Sequence, residues 1–150
     1  MVKRVWAFLV PWLRHKEKPG IIIYTSVDRT IERNARPKNN RLSYVMRRNG
    51  KKVASIDGYF GESTIFCIDT VLGHTNDRHG FSYLSGLYRT LEADLKGQGV
   101  STLLANCCET LAYIAEKRYD FCLRNDLSLD LREQIGFYPC HSIVLEKRLV

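Results

Sequence analysis

Twenty residues in the first half of the chain, RLSYVMRRNGKKVASIDGYF from Arg41 to Phe60, restrict the possible folds more than any other stretch. Leu42, Tyr44 and Met46 alternate with polar neighbours, the period of a half-buried strand. Asn49-Gly50 then supplies two residues that tolerate the positive φ of a tight hairpin turn, and a second extended run begins near Val53. An antiparallel β-hairpin is therefore expected here. A later switch in period narrows the choice further. Leu84, Leu87, Tyr88, Leu91 and Leu95 recur at helical spacing, and Gly97 and Gly99 end that run.

The remaining elements follow from the same patterns. Ile21 to Val27, β-branched and aromatic behind Pro19-Gly20, reads as a strand. Residues Asp28 to Asn40 are polar and contain Pro37, so a short helix at most, then a loop, is expected. STIFCIDTV, Ser63 to Val71, is a further strand, followed by the polar loop HTNDRHGFS. Val100 to Ala105 is a strand. Leu111, Ile114, Ala115, Arg118, Phe121 and Cys122 mark a second helix that stops before Asn125-Asp126, and Phe137 to Leu149 is extended. The order predicts an α/β (α+β) fold: a mixed, mainly antiparallel sheet of about six to seven strands flanked by helices, with a strand-helix-strand crossover in the middle.

The chain has 150 residues, 45% of them apolar, enough for one core without metals or bridges. Its five cysteines are odd in number and lack paired ligand spacing, which points to free thiols in a reducing, cytoplasmic compartment and to no metal site. Residues 1–20 form a separate basic, aromatic segment ahead of a domain spanning 21–150. Its apolar run from Val5 to Leu13 is too short to span a bilayer, so no transmembrane segment is expected. Two tryptophans flanked by Lys and Arg leave two readings open, peripheral membrane contact or packing of Trp6, Phe8 and Trp12 onto the core.

Charge is unevenly distributed. Residues 1–52 carry 14 Lys and Arg against 3 Asp and Glu, a net +11, and the remainder carries −4. Lys38, Arg41, Arg47, Arg48, Lys51 and Lys52 gather about the hairpin. They form a candidate surface for nucleic acid or an acidic protein partner, or else a solvated face.

Three stretches together resemble the GNAT superfamily of N-acetyltransferases over about residues 21–149. One is the order of hairpin, strand STIFCIDTV, glycine-bearing loop and long helix. Another is the closing IGFYPCHSIVLEKRL, similar to the Gly-Phe, strand and charged ladder that end the family's fold. The third is His74 to Ser82, where the family keeps its coenzyme A pyrophosphate loop. The resemblance implies an acetyl-CoA-dependent N-acyltransferase whose acceptor is an amine of unknown identity. It places the cosubstrate at Val71, Arg78, His79, Gly80, Phe81, Ser82 and Tyr83, where backbone N–H groups and the positive end of the helix dipole would meet the diphosphate. Glu62 or Asp69 would accept the amine's proton, and Tyr119 is the candidate donor to the departing thiolate; Tyr113 and Tyr138 are alternatives.

Two departures accompany the likeness. Asp77 stands where the family has Gln or Arg, and a carboxylate repels phosphate; Arg132 stands where the family often has tyrosine. They leave open a binding module of GNAT shape without acyl chemistry. Cys107-Cys108 also raises a thiol nucleophile, with His79 or His141 as its base.

Overall fold

The computed structural model describes residues 20–36, 40–62, 64–74, 79–124 and 143–149. Ten elements follow one another: β1 (Ile21–Thr25), β2 (Arg29–Arg36), β3 (Arg41–Arg48), β4 (Lys51–Glu62), β5 (Ile65–Gly73), α1 (Gly80–Gly97), β6 (Thr102–Cys107), α2 (Glu109–Tyr119), β7 (Cys122–Leu123) and β8 (Ile143–Arg148). The strands make one eight-stranded sheet in the order β1-β2-β3-β4-β5-β6-β8-β7. Among the described residues only β5 and β6 run parallel, with α1 as the crossover between them. The amino-terminal segment 1–19 and the closing Gly136-Phe137 lie outside the described residues.

The expected hairpin is present as β3 and β4. Asn49 has φ 49° and Gly50 φ 80°, the positive-φ pair that a two-residue turn requires. Against expectation, the polar stretch after Asp28 is not helical: Arg29–Arg36 is strand β2, paired along its length with β3. The second helix likewise stops at Tyr119, short of the expected Phe121 and Cys122, and Cys122–Leu123 is strand β7 beside β8; β2 and β7 take the sheet beyond the six or seven strands expected. Tertiary partners explain β2. Ile31, 1% exposed, enters the core, and Arg33 reaches α1, so two side chains anchor a segment whose composition is mostly polar.

Helix α1 lies on the sheet through the stripe Tyr83, Leu87, Tyr88, Leu91 and Leu95, all buried against Tyr44, Met46, Ile56, Phe66 and Ile68. Asp94 fixes its far half: it accepts two bonds from Arg33 at 2.7 and 2.8 Å and one from the buried Tyr44 hydroxyl at 2.7 Å. Helix α2 adds Ala112, with Ala115 and Tyr119, to the same core, and Asp120 ends it with φ 61°. A smaller cluster, Cys67, Leu104 and Val144 with Tyr59 and Ile65, occupies the other face of the sheet. Among the described residues no helix is long and apolar enough to cross a membrane.

Candidate active site

Strands β5 and β6 pair only over four residues, from Ile65 with Thr102 to Ile68 with Ala105. Beyond that point β5 runs on to Gly73 beside β4 alone. The separation begins at a bulge: Gly58 faces Ile68 and Asp57 faces Thr70, so Asp69 is the extra residue on β5. In an antiparallel ladder alternate residues turn their N–H and C=O away from the partner, so part of the 69–73 backbone points into the gap. Simple alternation sets Thr70 with Phe66 and Ile68. The bulge moves it to the face of Asp57, because one added residue inverts the order of side chains.

Into this gap opens a cavity of about 480 Å3 between the sheet and the two helices. Its wall is mainly apolar, with Ile68 and Val71 from β5, Phe81 and Leu84 from α1, and Leu111 and Ile114 from α2. Its lining includes Asp69, Asn106 and Tyr119; the register turns the Asp69 and Asn106 side chains toward the Cys67, Leu104 and Val144 face of the sheet, across the gap from Tyr119 on the helix side. Asp69, whose side chain is 11% exposed, binds the Arg41 guanidinium through Oδ2 at 2.6 Å. Its Oδ1 is buried with no hydrogen-bond partner. Asn106 on β6 likewise keeps both amide atoms buried and unpartnered. Tyr119, at the end of α2, shares a 2.7 Å hydrogen bond with Ser85 of α1, its ring centroid 4.5 Å from that of Tyr88. Burial, and then the nearby Glu92 carboxylate, push the Tyr88 phenol well above the ordinary tyrosine range.

The mouth of the cavity is the start of α1. His79 precedes it without a side-chain cap, the first turn contains no acidic residue, and the first described hydrogen bond runs from Tyr83 N to His79 O at 3.0 Å. The N–H groups of Gly80, Phe81 and Ser82 precede that bond, the donor set a helix start leaves unsatisfied. Phe81 is exposed at the rim, and the Arg118 guanidinium carbon lies 4.7 Å from its ring centroid.

The structure thus gathers Asp69, Val71, Phe81 and Tyr119 around one cavity and sets His79, Gly80 and Ser82 at its mouth. Tyr83 turns away, into the core, and accepts a 2.5 Å bond from Arg48. Glu62 ends β4 opposite Ile65, at the closed end of the strand pair, roughly 13 Å of strand from Asp69. Arg78, Lys38, Tyr138, Arg132 and His141 lie outside the described residues. The basic group divides: Arg41 belongs to Asp69, whereas Arg47, Arg48, Lys51 and Lys52 stand at the tip of the hairpin. Sequence reasoning passed over Asn106, Tyr88 and Arg118. A lone Asn inside a strand and a tyrosine on an apolar stripe carry no local signal, and Arg118 is visible only as part of a helical repeat.

Cys107 lines the cavity, but burial pushes its thiol up to about 11. At neutral pH it is protonated, which argues against Cys107 itself as the thiolate nucleophile. Among the described residues no cluster of three His, Cys, Asp or Glu is placed to hold a metal ion.

No protein-family model and no curated protein sequence matches the chain. Solved structures do. A GNAT-family acetyltransferase from Staphylococcus aureus Mu50 superposes with a TM-score of 0.60 at 12% identity, covering 76% of this chain and 71% of that one. Tetrahymena GCN5 gives 0.58 at 15%, covering 74% and 69%. N-acetylglutamate synthase from Neisseria gonorrhoeae, in complex with coenzyme A and N-acetyl-glutamate, gives 0.56 at 19%; there the match covers 72% of this chain but only 26% of the synthase. The fold is that of the GNAT N-acetyltransferases, in a divergent form.

Proposed function

We propose that this chain is an acyl-CoA-dependent N-acyltransferase, with acetyl-CoA as donor and an amine of a small molecule or protein as acceptor. The observation that carries the reading is the parting of β5 and β6 at the Asp69 bulge, beside a mainly apolar cavity that ends at the start of α1. The residues present suit the cosubstrate. The apolar wall fits a pantetheine arm, the open edge of β5 offers partners for its amides, and the first turn of α1 offers N–H groups to the diphosphate.

Bound acetyl-CoA would supply a thioester that is electrophilic at its carbonyl carbon. Backbone N–H groups at the open edge of β5 are positioned to donate to that carbonyl oxygen, and they need no reorganisation as negative charge grows there. Arg41 holds the Asp69 carboxylate by one oxygen, which leaves the buried Oδ1 to accept the proton that the acceptor ammonium must lose. Tyr119 can donate its phenolic proton to the departing sulfur while Ser85 holds the hydroxyl in place.

The test is a thermal melt with acetyl-CoA beside adenosine diphosphate. At 100-fold excess over Kd the expected stabilisation is about 2.7 kcal/mol, roughly 5–10 °C in Tm for a chain of this size. Thiol release in the presence of a panel of amines should follow. No shift at millimolar acetyl-CoA would refute the reading.

A further inference from the structure

A second concavity lies on the other side of the first turn of α1. Phe81 and Leu84 face the apolar cavity, but Tyr83 faces a pocket of about 530 Å3 lined also by Arg48, Lys51, Lys52 and His74. None of its lining residues is acidic. One helical turn therefore separates an apolar cleft from a cationic one.

The strand register makes this charge costly. Arg47 stands opposite Lys52 and Arg48 opposite Lys51 across the hairpin, and Arg29 stands opposite Arg48 on the next strand. Like charges directly opposite on neighbouring strands destabilise a sheet. Asp28 offsets part of this through Arg48, at 3.0 Å, and Arg29, at 3.9 Å. Lys51 and Lys52 are exposed and form no ion pair among the described residues. Arg48, braced by Asp28 and by the Tyr83 hydroxyl, is held in one orientation.

Resting on the function proposed above, we infer that this pocket is a phosphate-monoester site that takes the 3′-phosphate of coenzyme A and so selects the donor. Its shape favours a terminal phosphate over a nucleic-acid strand. The pocket is concave; its Tyr83 ring is 2% exposed and unable to stack on a base, and its other ring, the His74 imidazole, is tied to Ser55 Oγ at 3.0 Å. The pocket also adjoins the helix start to which the diphosphate is assigned. It thus supplies positive charge from the hairpin beside that helix start.

The experiment is calorimetric titration of the full chain and of the double variant Lys51→Ala/Lys52→Ala with coenzyme A and with 3′-dephospho-coenzyme A. The wild-type chain should bind coenzyme A tenfold or more tightly than the dephospho form. The variant should bind coenzyme A at the dephospho level, with the dephospho affinity itself unchanged within about twofold. Its Tm should be equal or higher, because two like-charge pairs are gone. Equal wild-type affinity for the two ligands, or an equal loss for both in the variant, would overturn the pocket assignment while leaving the acyltransferase reading in place. Binding of neither ligand by the wild-type chain would overturn both. Displacement of coenzyme A by a single-stranded oligonucleotide from the wild-type chain, but not from the variant, would reassign the pocket to nucleic acid.

Discussion

Asp69 carries much of the candidate chemistry, and its position was only half legible. Alternation along STIFCIDTV groups it with Ile65 and Cys67, and the structure agrees. What the pattern could not reveal is the bulge at Asp69, because a bulge is set by how two strands meet and not by the composition of either. Arg41 was likewise visible as a cation but not as the partner of a carboxylate 28 residues away. If Asp69 takes the acceptor's proton, Asp69→Asn should lower kcat by about 100-fold or more. The KM for acetyl-CoA should stay within a few-fold, because backbone groups and α1 carry the cosubstrate. Steady-state kinetics with whichever amine turns over checks this; a fall confined to acetyl-CoA binding would assign Asp69 to the frame of the site.

At the level of elements, the body of each strongly periodic segment is legible in the sequence, whereas β2 and the two-residue β7, expected as the end of the second helix, are not. Helix α1 and the β3–β4 hairpin each state their structure locally, through a continuous apolar stripe or a turn pair. Arg29–Arg36 has one buried apolar residue, Ile31, and becomes a strand because β1 and β3 flank it and Asp94 receives Arg33. The wedge itself depends on a close approach that only glycine permits. A Cβ placed on Gly58 would lie 2.3 Å from the Cys67 carbonyl oxygen and 2.6 Å from the Phe66 ring. Gly58→Ala must therefore push β4 from β5 at the bulge. We expect a loss of about 1–3 kcal/mol in a denaturant melt, with weaker acetyl-CoA binding at temperatures where the variant stays folded. An unchanged midpoint would mean that the bulge tolerates displacement.

For the molecule as a whole, burial fixes how stability responds to alkali. Burial pushes the Cys67 thiol up to about 12 and the Cys107 thiol up to about 11, and it also raises the Tyr44, Tyr59 and Tyr88 phenols above their ordinary range. Unfolded thiols lose their protons near roughly 8.5 and phenols near roughly 10. A raised folded-state value means that the native chain holds protons the unfolded chain has released, so stability is complete below about pH 8.5 and falls as pH climbs toward 11–12. Urea midpoints measured from pH 8 to 10.5 should decline steadily, and a flat series would refute the assignment of these groups to the interior.

The connectivity of the sheet carries one more consequence, concerning the order in which the molecule is built. Strands β1 to β4 are joined by connections of two to four residues and pair with their immediate successors, so their contacts cost little chain closure. The cleft needs the opposite: a crossover through α1 to bring β6 beside β5, and then β8 slotted between β6 and β7. A nascent chain would accordingly own a firm four-stranded ribbon, cationic tip included, before it owned a place for a thioester.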